Sequence, residues 1–310
     1  MPAPAIHHYP LPAMPQAEIR SFAQYIARYL PGKIQKITVH AGFTCPNRDG
    51  SKGTGGCIYC NNSAFSPAYA LKAGSIPRQI EEGKRFFARK YTDMRYVVYF
   101  QSYTSTNGPV GDVVRLIREA LAQPGVEGVI IGTRPDCMPD ALLAELQAIA
   151  REHFVMIEYG AESAVDSTLS LINRCHTWKN TADAVRRTAG VGIPVGLHLI
   201  LGLPGESRAD MMRTISCVNA LPVEVVKFHQ LQIVRGTPLA SMIEKGEITV
   251  ETFSAESYAD LCCEILRKLR PDISIERFVS QSPASLLISP RWGLKSHEFL
   301  ALLRQRLDKE

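Results

Sequence analysis

The 310-residue chain contains no apolar run of about eighteen residues, the length needed to cross a bilayer. No charged opening followed by a short apolar stretch marks a secretory leader. Both absences argue against export and membrane insertion, so the expectation is a cytoplasmic protein without a membrane partner, in a compartment where disulfides rarely persist. Low-complexity tracts and long blocks of like charge are also missing, which excludes the common signatures of extended disorder. The net charge of +5 is mildly basic. It suits a phosphate-bearing partner but falls short of the dense basic patch that would by itself indicate nucleic-acid binding. With 45% hydrophobic residues, a chain of this length can bury a substantial core without requiring two domains.

Eight cysteines are present, and three of them share one segment, His40-Ala-Gly-Phe-Thr-Cys45-Pro-Asn-Arg-Asp-Gly-Ser-Lys-Gly-Thr-Gly-Gly-Cys57-Ile-Tyr-Cys60. Gly50, Gly53, Gly55 and Gly56 let such a loop curl around a bulky group and turn its amides toward anionic sulfur. Cys45, Cys57 and Cys60 are therefore the metal-binding candidates. Three cysteines alone leave iron–sulfur and zinc both open. Zinc would want a fourth ligand, for which His40 is the nearby candidate, and that reading gives a zinc-stabilised binding protein without catalysis. An iron–sulfur cluster normally takes four thiolates, so three imply a distant ligand or an open iron. Cys137, Cys175, Cys217, Cys262 and Cys263 lack ligand spacing and suit the small apolar role of free cysteine.

From about residue 35, short β-branched runs alternate with longer amphipathic ones, the pattern of a parallel α/β sheet. Strands are expected at 37–39, 96–100, 128–131, 154–158, 194–201 and 223–229, and helices at 78–90, 110–122, 140–152, 180–190 and 207–220. Six strand–helix units are too few to close an eight-stranded barrel. Residues 1–34 form an N-terminal segment, proline-rich and irregular over 1–12. Residues 35–235 form the core. Residues 236–310 form a small α/β extension packed on it, with helices at 255–269 and 297–306 and a short strand at 273–278. Because reacting groups in parallel α/β folds sit at the carboxyl ends of strands, the cysteine loop and the segments 101–107, 133–136, 160–163 and 202–206 are expected to meet on one rim. Alternation puts His198 and Ile200 on one strand face, so His198 can point into the lumen.

The cysteine loop, Tyr99-Phe-Gln-Ser-Tyr-Thr-Ser-Thr-Asn107, Gly132-Thr-Arg-Pro-Asp136, Glu158-Tyr-Gly-Ala-Glu-Ser163, Arg174-Cys-His176 and Leu199-Ile-Leu-Gly-Leu-Pro-Gly-Glu206 occur in the order seen in radical S-adenosylmethionine (SAM) proteins. Over roughly residues 18 to 290 the chain resembles the YhcC/YtqA-type subfamily, which is similar to the radical SAM domain of the elongator catalytic subunit that modifies wobble uridine in tRNA. The eleven residues between Cys45 and Cys57, where most of the superfamily has three, fit that subfamily. The resemblance implies an open partial (β/α)6 TIM-type barrel and an enzyme that reductively cleaves SAM at a [4Fe-4S] cluster. The 5′-deoxyadenosyl radical so formed would act on a C–H bond.

By the same resemblance, the partners are SAM, a reducing electron donor and a substrate, with RNA (tRNA modification) favoured and a small metabolite or protein as the alternative. Tyr59 is expected to pack toward adenine. Gln101 and Ser102 stand where the family's Gly-Gly-Glu segment holds the methionine amino group, and that tripeptide is absent here. Glu158 and Glu162 are candidates for the ribose hydroxyls, and Arg174 for the SAM carboxylate, which its planar fork matches. Gly202 opens a loop expected to bring backbone near the adenine edge. Tyr103, Asn107, Arg134, Asp136 and His198 are substrate-side candidates.

Overall fold

The computed structural model describes residues 19–64, 66–67, 69–70, 74–88 and 94–308. The irregular segment expected at 1–12 and the last two residues of the helix expected at 78–90 lie outside the described residues. Seven strands form one parallel sheet: β1 (Ile34–Val39), β2 (Arg95–Phe100), β3 (Val126–Thr133), β4 (Phe154–Glu162), β5 (Val195–Leu201), β6 (Val225–Gln230) and β8 (Ser274–Arg277). They pair in that order, each with its successor in the series. The sheet is the open, curled TIM-type half-barrel that the sequence led us to expect, with one correction. The short strand expected in the C-terminal extension is the seventh strand of the main sheet, hydrogen-bonded in parallel to β6.

Helices cover the outer face. α2 (Ile76–Ala88), α3 (Val110–Leu121), α4 (Asp140–Ile149), α6 (Trp178–Gly190) and α7 (Arg208–Asn219) follow the strands in alternation, with a short α5 (Asp166–Leu171) after β4. In α3 the buried residues Val113, Val114, Ile117 and Ala120 recur at three and four, the spacing of a single helix face. α7 starts where Ser207 and Asp210 cap each other's backbone amides, at 3.2 and 3.0 Å. Further on, β7 (Ile233–Val234) and β9 (Leu287–Ser289) form a small antiparallel pair, and α8 (Pro238–Glu244), α9 (Ala255–Lys268) and α10 (Ser296–Leu307) complete the described chain.

Alternation along the strands builds the lumen in layers. Outward residues such as Ile37, Val98, Ile131, Ile157, Leu197 and Phe228 join the helices in the large outer core. Inward residues at the lower level, among them Val97, Ile130, Met156 and Val225, form an apolar floor sealed by Tyr25 and Ile26 of a helix not foreseen from the sequence, α1 (Phe22–Ile26). One step higher on the same faces, two residues along each strand, stand Lys36, Tyr99, Glu158, His198 and Lys227. A polar layer thus rests on an apolar plug. The gap between the outer strands β1 and β8 is bridged by Lys36 and Glu276 at 2.6 Å, while the Ile275 amide donates to the Arg20 carbonyl at 2.7 Å.

No described helix is long and apolar enough to cross a membrane.

Candidate active site

The carboxyl ends of the strands surround an open cavity of about 1230 Å³, solvent space at its mouth included, with the cysteine loop on one wall and the polar layer beneath. Cys45, Cys57 and Cys60 all line it. The loop is held by the groups around it. Gly50, Gly55 and Gly56 take φ of +89°, +77° and +80°, conformations that only glycine adopts freely. The buried Asn47 donates to the Asn173 carbonyl and lies 3.7 Å from Cys57 Sγ, and Arg48 donates to the Cys60 carbonyl at 2.9 Å. Among the described residues, no three His, Cys, Asp or Glu side chains group as ligands of a single ion. His40 is engaged elsewhere, with Nδ1 accepting from the Gly42 amide at 2.8 Å.

Arg174 joins the cysteine wall to the cavity. Its Nη1 lies 3.5 Å from Cys57 Sγ, and Nη2 donates to the Gly160 carbonyl at 2.6 Å and pairs with Glu162 at 3.3 Å. Its Nε is buried without a partner, as is Nη1 of Arg134 nearby. Burial disfavours the Arg174 charge, but Tyr59, Cys57 and Glu162 around it hold the guanidinium protonated. Glu162 has φ +66° and Tyr103 +57°, so two non-glycine residues on this wall occupy the left-handed region. Such strain collects at sites where the surroundings dictate backbone direction.

The other residues expected at the site divide into two groups. Tyr59, Gln101, Tyr103, Arg134, Glu158, Glu162, Arg174 and His198 line the cavity. Ser102, Asn107, Asp136 and Gly202 do not. Ser102 is buried behind the wall, its hydroxyl 3.0 Å from that of Ser66. Asn107 braces the cysteine loop through Asp49 at 3.0 Å and Thr44 at 3.3 Å. Asp136 binds Arg134 through both oxygens at 3.0 Å and Lys52 at 2.8 Å. Burial raises its pKa, but those cations outweigh burial and bring it to about 2. Gly202 answers a packing need, because with φ +85° a Cβ there would meet the Phe253 ring at 2.8 Å. These four residues support the rim.

The polar layer was mostly missed by sequence reading. Glu158, 1% exposed, accepts from Lys36 at 3.1 Å, Lys227 at 3.3 Å and His198 at 2.6 Å, so its oxygens are already engaged inside the lumen. Glu276 takes the same two lysines at 2.6 and 2.8 Å. Tyr99 OH is 3.2 Å from Lys227 and 3.4 Å from His198. Burial opposes the Glu158 charge, yet Lys227 and Lys36 hold its carboxyl well below the usual carboxylate range. Burial lowers the pKa of Lys227, and burial together with the Lys227 charge lowers that of His198. The available signal was a lysine inside each of two strand-like runs, Lys36 before Ile37 and Lys227 between Val226 and Phe228.

A half-barrel whose first strand leads into a three-cysteine loop above a polar lumen defines the architecture of a cofactor-dependent α/β barrel enzyme. Residues 45–218 match the radical SAM superfamily and residues 223–309 its C-terminal domain. The chain belongs to the radical SAM superfamily and is an enzyme of that class, using a [4Fe-4S] cluster and SAM. It is 31% identical over 284 residues to the uncharacterized protein YtqA of Bacillus subtilis, covering 92% of this chain and 88% of that one. A tRNA uridine(34) acetyltransferase of Methanocaldococcus infernus is 25% identical over 187 residues, 58% of this chain and 33% of that protein. Among solved structures, an N-terminally truncated Elp3 from the same archaeon superposes with a TM-score of 0.65 at 16% identity, over 90% of this chain and 63% of that one. That likeness is one of fold.

Proposed function

We propose that the protein cleaves SAM reductively and directs the resulting radical to a C–H bond of an RNA substrate, with tRNA the favoured class. The observation that carries the proposal is the joining of three loop thiols, an arginine with an orphaned buried N–H and a polar lumen in one cavity. The fit to the cofactors is chemical. Three thiolates suit three irons of a cluster and leave the fourth for a substrate-derived ligand, and Arg134 and Arg174 offer free donors to a zwitterion. When bound, a reduced [4Fe-4S] cluster would give one electron to SAM, breaking its C5′–S bond to leave methionine and a 5′-deoxyadenosyl radical able to take a hydrogen atom from substrate.

The chain's own residues then have definable tasks. Cys45, Cys57 and Cys60 hold the cluster, and Arg174, against Cys57 and Glu162, keeps negative charge on that wall compensated. Glu162, with one oxygen on Arg174, is the carboxylate assigned to the ribose hydroxyls, since Glu158 is taken up by the lysines below. Tyr59, half-buried against the apolar cluster that includes Ile200 and Leu231, offers an aromatic face to adenine. Gln101 offers its amide to the methionine end of SAM. Support for RNA comes from similarity to the tRNA-acting relative and from the mild positive charge.

Anaerobically reconstituted protein should be brown, lose colour with dithionite and release 5′-deoxyadenosine from SAM. With a deuterated cellular RNA pool, label should pass into that product. Colourless zinc protein, or four-iron protein that binds SAM but never yields 5′-deoxyadenosine, would remove the reading; transfer only from deuterated small metabolites would replace RNA as substrate.

Arg174→Ala should weaken SAM binding to cluster-loaded protein by about 1.5–3 kcal/mol, roughly ten-fold to over a hundred-fold. Lysine should restore part of it, keeping charge but losing the fork. Calorimetry reads this directly, and wild-type affinity in the alanine variant would confine Arg174 to the Cys57 and Gly160 contacts.

A further inference from the structure

The register between β6 and β8 breaks at one point. Val226 faces Ile275 but Lys227 faces Arg277, so Glu276 is the extra residue of a bulge. Bulges re-aim side chains, and this one turns two consecutive residues inward. Ile275 and Phe278 on either side belong to the outer core. Between them, Glu276 binds Lys36 and Lys227 while Arg277 lines the cavity.

Charge in this part of the lumen does not balance. Lys36, Lys227 and Arg277 face two carboxylates, Glu158 and Glu276, and the lysines engage both. Arg277 has His229 as its neighbour, with Nη2 3.0 Å from Nδ1, and no described carboxylate pairs with it. Its Nε is buried and unpartnered. His229 brings no negative charge, and burial and Arg277 itself keep it unprotonated. By contrast, Arg134 and Arg174 at the cysteine end are matched by Asp136 and Glu162. A half-buried cation with an unmet donor is costly unless a counter-charge arrives.

Next to Arg277 the wall is already ordered. The Ser280 hydroxyl lies 2.5 Å from His229 Nδ1. Gln230 grips the Ser280 backbone at both ends, accepting from its amide at 2.7 Å and donating to its carbonyl at 2.9 Å. A hydroxyl and a guanidinium are thus held toward one region of the cavity, an arrangement suited to an oxyanion.

We infer that Arg277, with Ser280 and His229, forms a subsite for an anionic group of the substrate, a phosphate or a carboxylate. The inference rests on the cavity being the site of the proposed radical reaction, and it narrows the substrate to molecules that carry such a group into the lumen. A nucleotide phosphate and a metabolite carboxylate share this chemistry, and the probes below separate them.

The test titrates cluster-loaded, SAM-bound enzyme with methyl phosphate in one arm and acetate in the other, by calorimetry at constant ionic strength, and repeats both with Arg277→Gln and Arg277→Lys. Wild type should bind at least one probe saturably. Arg277→Gln should weaken it about ten-fold to a hundred-fold and Arg277→Lys by less, with iron content and SAM affinity unchanged. Preference for methyl phosphate assigns a phosphate and preference for acetate a carboxylate. Saturable binding of neither probe by wild type, wild-type binding in Arg277→Gln, or an equal loss of SAM affinity in that variant would overturn the assignment. If Arg277→Gln fails to fold, Ser280→Ala must weaken the same probe for the subsite to stand. Should wild type fail to load iron, the cofactor reading fails instead, and the anion titration on the iron-free protein still reports on Arg277.

Discussion

Replacing Cys45, Cys57 and Cys60 together with alanine should abolish iron and sulfide binding and, with them, all formation of 5′-deoxyadenosine from SAM. The loss should be complete because these three thiols line the cavity and no other described cysteine does. Cys217 sits on α7, and Cys262 and Cys263 are buried in α9. Alanine at those three positions should leave iron, sulfide and SAM cleavage intact, since each behaves as a small packed side chain. Iron and sulfide assays on anaerobically reconstituted variants decide the matter. A full cluster in the triple variant would show that other residues hold it.

Glu158→Gln should cost about 3–5 kcal/mol of stability, the penalty for breaking a buried ion pair from one side. The variant leaves Lys36 and Lys227 facing Glu276 alone, at a position 1% exposed. Urea unfolding measures the loss, and adding Lys227→Met to Glu158→Gln should recover part of it by removing the stranded charge. The pH dependence has a definite sign. Because the native Glu158 pKa is depressed, its contribution is complete above the usual carboxylate range and is lost as pH falls through the native value. Glu158→Gln should therefore flatten the acid limb of the stability curve. A change under about 1 kcal/mol would mean that solvent screens the network as it screens surface pairs.

Individual residues show how much of the fold and site the amino-acid order discloses. Strands and helices were legible because each declares itself over a few neighbouring residues, whether by the β-branched run of 128–131 or by the apolar spacing of α3. The cysteine loop was legible for the same reason, its thiols and glycines lying within one segment. Ser102, Asn107, Asp136 and Gly202 were expected in the site from their motif neighbours. A motif marks a stretch of chain, whereas the fold decides which of its residues face the cavity and which prop the wall behind it. Glu158 shows the complementary effect: it reaches the lumen, but lysines from β1 and β6 claim its oxygens.

From its own order, the chain determined the alternation of strand and helix, the family and the three-thiol loop, since these depend on spacing along the backbone. Only tertiary structure decided the seventh strand, the α1 plug, the paired lysines and the inward turn of Arg277. Each of these depends on residues far apart in sequence, such as Lys36 with Glu276 across the open edge of the sheet, or on a single-residue slip in register between β6 and β8. A pairing slip of one residue reverses which side of a sheet a side chain faces, and local composition carries no record of it.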